Sequence, residues 1–316
     1  MFRYCDFYLH GRGAPFVSTA RGHTVTRSVP VLALLIGQSA LAQIVEKEFV
    51  YEGKLSVACA PGFDNGHLII YETGGRITLR PPNGAPAITV SAGEPVAGVP
   101  MSNAAVDTDG FIAATVNHSS VWGITIFRPD GRQERFIQTT PFAPTAIRFG
   151  PDHTLWSAVS RHNPTQTHEA DYAIVRNYSR DGRLLHSFLP RSTFDMEALL
   201  TSQNVGMALL HVTKGRIGIL IDPATRGRKP LWLEMDMSGN VKGRWDLAEY
   251  LVFGLTPNGS VYGVDGPGTG VGVLDRNTGK WNPVPISTRG RALGVDGDHL
   301  VFLEPSGLAQ WVSVPK

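Results

Sequence analysis

The chain has almost no cysteine, few charges and no apolar run long enough to cross a bilayer. Only two of its 316 residues are Cys. Cys5 falls in the N-terminal leader and Cys59 stands alone in the remainder, so no intramolecular disulfide is available to staple the fold. Charged residues make up 18%, against roughly 25% in an average soluble domain. The formal net charge is +2, and the 29 Lys and Arg are scattered through turns instead of gathered in one run. That distribution excludes a nucleic-acid partner. Val29 to Gly37 is the apolar core of the leader; it is shorter than the about 20 residues a spanning helix requires, so no stable transmembrane segment is expected after processing. A sustained 3.6-residue periodicity is missing too, which argues against an α/β enzyme. No G-x-S-x-G elbow occurs, so a serine-hydrolase triad has no support. The glycine-rich stretch Gly266 to Gly272 lacks the Lys-Ser/Thr ending of a phosphate loop.

What is present is repetition. Gly (35) and Pro (22) are abundant and mark turns at regular intervals. One set reads Asp64-Asn65-Gly66, Asp107-Thr108-Asp109-Gly110, Pro151-Asp152-His153, Gln203-Asn204-Val205-Gly206, Pro257-Asn258-Gly259 and Asp296-Gly297-Asp298. Each is followed by a strand-like run: His67 to Tyr71, Phe111 to Val116, Leu155 to Val159, Met207 to Val212, Ser260 to Val264 and His299 to Leu303. Asn-Gly and Asp-Gly tolerate the positive φ that tight hairpins need, and β-branched and aromatic neighbours suit a pleated, half-buried surface. A second set of turns follows in each unit, at Pro82-Asn83-Gly84, Pro129-Asp130-Gly131, Arg180-Asp181-Gly182, Met237-Ser238-Gly239, Asn277-Thr278-Gly279 and Pro305-Ser306-Gly307. Two hairpins per unit give four strands. Six such units predict an all-β, six-bladed β-propeller of four-stranded antiparallel blades.

The two ends of the chain differ from this pattern. The apolar core from Val29 follows Arg21 and Arg27, and Ala40-Leu41-Ala42 before Gln43 supplies the small-x-small pattern of a signal peptidase site. The expectation is a signal peptide with a long leader over residues 1–42, cleaved near Ala42/Gln43, and a single propeller domain over 43–316 that is secreted or periplasmic. The last unit offers only three strands before Lys316, while Ile44 to Tyr51 is an alternating, β-prone segment ahead of the first full unit. This N-terminal strand is expected to complete the last blade and leave no open edge where the ring meets. First strands carry small residues, at Ala104, Ala105, Ala146, Ala198 and Ala292, as crowding toward an axis requires. Trp122, Trp156, Trp232 and Trp311 recur on strands where aromatic rings would cement blade against blade.

The units containing Val106-Asp107-Thr108-Asp109-Gly110-Phe111-Ile112 and Ile147 to Val159 resemble blades of secreted six-bladed propellers of the NHL and TolB-like type. The resemblance covers nearly all of residues 44–316 and its motif is structural. Propellers of this shape include lactonases, streptogramin-type lyases, peptidyl-amidating lyases and pure binding modules, so it implies a fold and leaves function to the site.

Function is expected on the face where the second strand of each blade hands over to the third, or in the central channel. Those handovers carry Glu72 and Thr73, Asn117 and His118, Arg161 and His162, His211 and Lys214, Asp265, and Glu304. The longest, Ser160 to Asp171, interrupts the third unit and brings His162, His168, Glu169 and Asp171 together. Imidazole nitrogen with carboxylate oxygen suits a divalent metal, Ca or Zn, with His162, His168 and Glu169 as ligands and His118 as the neighbour from the preceding unit. Two functions follow. One is an exported module that binds a protein, glycan or small molecule and works as a monomer. The other is a metal-dependent propeller hydrolase or lyase.

Overall fold

The structure, a computed structural model, describes residues 45–50 and 61–314, apart from 73, 82–83, 119–120, 162–170, 195–204, 224–228, 248, 267, 269 and 287–289. The leader 1–42 and its cleavage site lie outside the described residues. Strand and turn chemistry act as expected. The branched and aromatic run Val121–Phe127 is one strand, and it stops at a turn where Gly131 adopts a φ of +83° that a side chain would resist. Six four-stranded antiparallel sheets result, from residues 62–90, 101–138, 142–190, 205–246, 250–284 and, for the last, 291–313 together with 45–50. They are blades 1 to 6 of a propeller. First strands of successive blades lie side by side around a closed ring, so they line the axis while the fourth strands form the rim.

The apolar core is divided among the blade interfaces. One buried cluster fills each of the six junctions: Ile69, Ile77 and Leu79 with Val106 and Ile112 between blades 1 and 2, Ala105 and Ile124 with Ile147 and Tyr178 between 2 and 3, Trp156 and Val175 with Leu210 and Leu233 between 3 and 4. Trp232 meets Val252 and Leu255 between 4 and 5, Phe253 meets Phe302 between 5 and 6, and Phe63 meets Trp311 where the ring closes. Hydrophobic burial therefore binds neighbour to neighbour, and the axis is left to polar groups. Ala104, Ala105 and Ala146 are buried on first strands as expected; Ala198 lies outside the described residues. Five first strands also carry a register shift, between Met101 and Ala104, Pro144 and Ala146, Gly206 and Leu209, Val252 and Gly254, and Ala292 and Gly294. Such bulges bend a strand and re-aim its side chains.

Closure occurs as the chain ends suggest. Val45–Val50 pairs antiparallel with Leu308–Ser313, Val50 opposite Leu308 and Val45 opposite Val312. Side chains reinforce the seam: His299 Nε2 lies 2.6 Å from Glu46, Gln310 donates to Glu48 at 2.8 Å, and the Lys47 ammonium sits 4.7 Å from the Trp311 ring centroid.

One assignment changes. Met207 to Val212 belongs to the first strand of blade 4, Val205–Val212, and not to the second, which is Ile217–Pro223. The Asn-Gly-like turn at Gln203 misleads because the true first turn of that blade, Thr213 to Arg216, is built without a tight Asp-Gly or Asn-Gly pair. Among the described residues no helix is long and apolar enough to cross a membrane.

Candidate functional site

The antiparallel order gives the ring two unlike faces. Turns between first and second strands, and between third and fourth, emerge on one side, here the hairpin face. Connections from second to third strands emerge on the other, the handover face. Most of the residues singled out above lie on the latter. His118 ends the strand Ile112–His118 and is exposed. Asp265 and Glu304 sit half-buried at the ends of the second strands of blades 5 and 6. Arg161 ends the second strand of blade 3, Leu155–Arg161, and Asp171 precedes the third, Ala173–Tyr178. The long insertion is thus a handover, but Arg161's side chain and His162, His168 and Glu169 lie outside the described residues. Asp171 accepts the Ser192 backbone N–H at 2.8 Å and the Ser192 hydroxyl. Those two bonds hold its carboxyl below the usual range.

His211 and Lys214 are corrections. His211 lies on the first strand of blade 4 and Lys214 in the following turn, so neither belongs to a handover. The cause is the shifted strand assignment in that blade. His211 is buried against the edge of Trp232, ring centroids 6.1 Å apart at 61°. Space for that indole exists because Gly218, opposite His211 in the sheet, has no Cβ; one built there would meet the ring at 2.2 Å. His211 Nε2 has no hydrogen-bond partner. Burial, aided by the charge of Arg148, lowers the imidazole from 6.5 to about 3, so it is neutral near pH 7.

The hairpin face carries charge that the sequence reading did not single out as functional. Asp107, 2% exposed, meets His153 Nδ1 at 3.0 Å and Arg180 at 2.7 Å, and Arg180 also reaches Asp109 at 2.7 Å. Blade 2 supplies both carboxylates, and blade 3 supplies the histidine and the arginine. Burial pushes the Asp109 carboxyl up, but the Arg180 hydrogen bond and charge outweigh it and the group ends below its ordinary value. Between blades 4 and 5 the pattern recurs. Glu234, 0% exposed, takes Arg276 at 2.8 Å, Arg216 at 2.8 Å and the Trp232 indole N–H at 2.9 Å. Desolvation again opposes ionisation, and the two guanidinium groups and the indole reverse it.

Arg148 links blades that are not neighbours. From the first strand of blade 3 it pairs with Asp64 of blade 1 at 2.5 Å, donates to Phe63 O at 3.4 Å, and donates through Nε to Leu210 O of blade 4 at 3.2 Å. Asp64 in turn accepts Val106 N–H of blade 2 at 2.9 Å. The guanidinium therefore spans the ring interior at the hairpin end. Tyr71 also feels this charge, although burial dominates and pushes its phenol up to about 12. Signals for these residues were available: Arg148 and Glu234 are lone charges inside apolar strand runs, the residue type that is rarely buried without a partner.

Among the described residues one trio has metal-ligand chemistry, Asp107, Asp109 and His153, whose ligating atoms lie within 4.8 Å of one another. It does not fit a cation as arranged. Arg180 already holds both carboxylates, and its charge would repel a metal between them.

No protein-family model matches the chain, and no curated protein matches it in sequence. Its fold is similar to solved propellers. A gluconolactonase from Xanthomonas campestris aligns with a TM-score of 0.50 and 15% identity over 80% of this chain and 85% of that one. The PQQ-bound aldose sugar dehydrogenase of Streptomyces coelicolor aligns with a TM-score of 0.50 and 13% identity over 87% of this chain and 100% of that one. At such identities the likeness concerns architecture alone.

Proposed function

We propose that the chain is an exported β-propeller binding module that takes a protein, glycan or small ligand on its handover face. One observation carries this reading: on the opposite face the charges of Asp64, Asp107 and Glu234 are consumed by arginines of other blades, and Arg148 spans the channel there. The handover face carries the exposed His118 and the carboxylates of Asp171, Asp265 and Glu304 without an interblade arginine clasp on Asp171 or Glu304 among the described residues, with Arg161, His162, His168 and Glu169 in the longest connection. Loops on a rigid ring are where recognition groups belong. An array of glycans and peptides probed with the wild type, with a His118→Ala, Asp265→Ala, Glu304→Ala variant, and with Lys214→Ala tests it. Binding that the triple variant loses and Lys214→Ala keeps is the expected result. Absence of any ligand, or loss only in Lys214→Ala, defeats the proposal.

The second reading is a metal-dependent hydrolase or lyase that uses His162, His168 and Glu169, with His118 beside them. The pairing of imidazole with carboxylate in the longest connection favours it. Elemental analysis of purified protein separates the two: stoichiometric Ca or Zn, lost when His162 and His168 are both replaced, supports the enzyme.

A further inference from the structure

Blade 6 is the one blade whose outer strand is not joined to the next strand by a hairpin turn. Residues 45–50 arrive from the other end of the chain, so this strand can part from Leu308–Ser313 without any hairpin unfolding. Its side chains are exposed except that of Phe49, which is half-buried. The register along the seam shifts once: Val45 faces Val312 and Lys47 faces Trp311, which makes Glu46 an extra residue. Successive side chains of a plain strand point to opposite faces, and a bulge re-aims one of them. Glu46 and Lys47 accordingly reach the same face, the one that Trp311 and Ser313 share. The Lys47 ammonium sits 4.7 Å from the Trp311 ring centroid, and Glu46 lies 2.6 Å from His299 Nε2. His299 stands opposite Ser313 on the second strand of the blade, so this contact crosses the whole of the third.

We infer that Glu46 and His299 form a proton-operated latch on ring closure: a cationic His299 holds residues 45–50 onto blade 6, and its deprotonation loosens that strand while the rest of the ring stays shut. Histidine is the side chain whose charge ordinarily changes between about pH 5 and 8. A neutral ring still hydrogen-bonds Glu46, but the charge on the contact is gone. The latch therefore weakens as pH rises through the imidazole titration, and again in acid once Glu46 takes a proton. The His299 contact and the Ser313 hydroxyl hold the Glu46 carboxyl below its ordinary value, which moves that acid limit down. The other charges nearby have different tasks. Asp296, opposite His299 in the hairpin, accepts the Trp311 indole N–H at 2.8 Å, and Glu48 accepts from Gln310. Tyr262 of blade 5, raised by burial and by the charge of Asp298, stays neutral throughout this range.

Amide hydrogen exchange of the full chain at about pH 5.5 and about pH 8, either side of the ordinary histidine titration, tests the inference. Rates are expressed as protection factors, which removes the intrinsic pH dependence of exchange. Amides of residues 45–50 should be about threefold better protected at the lower pH, the scale of an exposed ion pair. The strand Val121–Phe127 of blade 2 should show no such gain. His299→Gln keeps a hydrogen-bonding side chain without the charge, and it should abolish the difference, as should Glu46→Gln. Added salt should shrink it. The His211 contribution to global stability runs the other way, growing as pH rises from about 3 to 6.5, so it does not imitate this result. Should one variant fail to fold, the other and the salt series decide. Equal protection at both pH values, better protection at the higher one, a difference that survives both variants, or an equal gain in blade 2 overturns the latch.

Discussion

The two faces of the ring use the same residue types for opposite ends. On the hairpin face, charged side chains reach across blade boundaries: Arg180 of blade 3 closes on Asp107 of blade 2, and Arg276 of blade 5 closes on Glu234 of blade 4. Among the described residues of the handover face the carboxylate contacts stay within one blade, as Glu72 with Arg76 at 3.0 Å or Asp171 with Ser192. Neutral amides cross the boundary there instead, Asn103 donating to Thr145 O at 2.9 Å and Asn117 to Pro144 O at 3.0 Å. A face whose charges are locked between blades resists deformation and has little left to offer a ligand. The other face is held by its hydrophobic junctions and by polar contacts within single blades.

The largest effect should come from Glu234. Glu234→Ala leaves Arg216 and Arg276 facing each other without their carboxylate, a loss of about 3–5 kcal/mol, read as a lower urea midpoint. An unchanged midpoint would remove the argument that this face is a clasp. Arg148→Leu comes next, at about 2 kcal/mol, the value of hydrogen bonds to a charged group. Its added readout is ligand affinity: if the channel is entered from the handover side, affinity should not change when this end is opened.

Acid should act on the same region. His211 titrates near 6.5 when unfolded and near 3 when folded, so between these values the unfolded state binds more protons and stability rises with pH. The contribution is complete above about 6.5 and disappears as pH falls toward 3. Arg148 and Trp232 are the charged and aromatic groups that face it. His211→Gln should flatten the melting profile in that window relative to the wild type, and parallel profiles would assign the acid sensitivity to the carboxylates alone. The smallest effect belongs to the handover face, where Glu304→Ala should shift stability within about 0.5 kcal/mol while altering binding. A large drop in melting temperature would show that face to be structural as well.

Much of the fold was legible because propeller signals are local. Asp64-Asn65-Gly66 and Pro129-Asp130-Gly131 mark hairpins through backbone chemistry that acts over a few residues, and the alternating segment from Val45 announced a strand without a partner. Blade 4 failed for the same reason in reverse: its first turn, Thr213 to Arg216, lacks a tight Asp-Gly or Asn-Gly pair, so His211 was placed on the wrong face. The clasps were not legible. Arg148 and Asp64 are 84 residues apart in number and meet only because the ring brings blades 1 and 3 to a common axis. Asp107 and Asp109 were visible as turn formers, but nothing local announces that Arg180 will arrive from the next blade.

The seam in blade 6 imposes an order of events on synthesis. Residues 45–50 leave the ribosome among the first of the described residues, yet their partner, Leu308–Ser313, is the last of the described strands to emerge. Until then that strand has an unsatisfied edge, and Phe63 lacks the Trp311 surface that buries it. The ring is therefore completed only once the last strand of the ring has been made, through one of its longest-range contacts, the kind that slows folding and prolongs exposure to aggregation. A chaperone acting on this protein has its clearest target in that waiting strand.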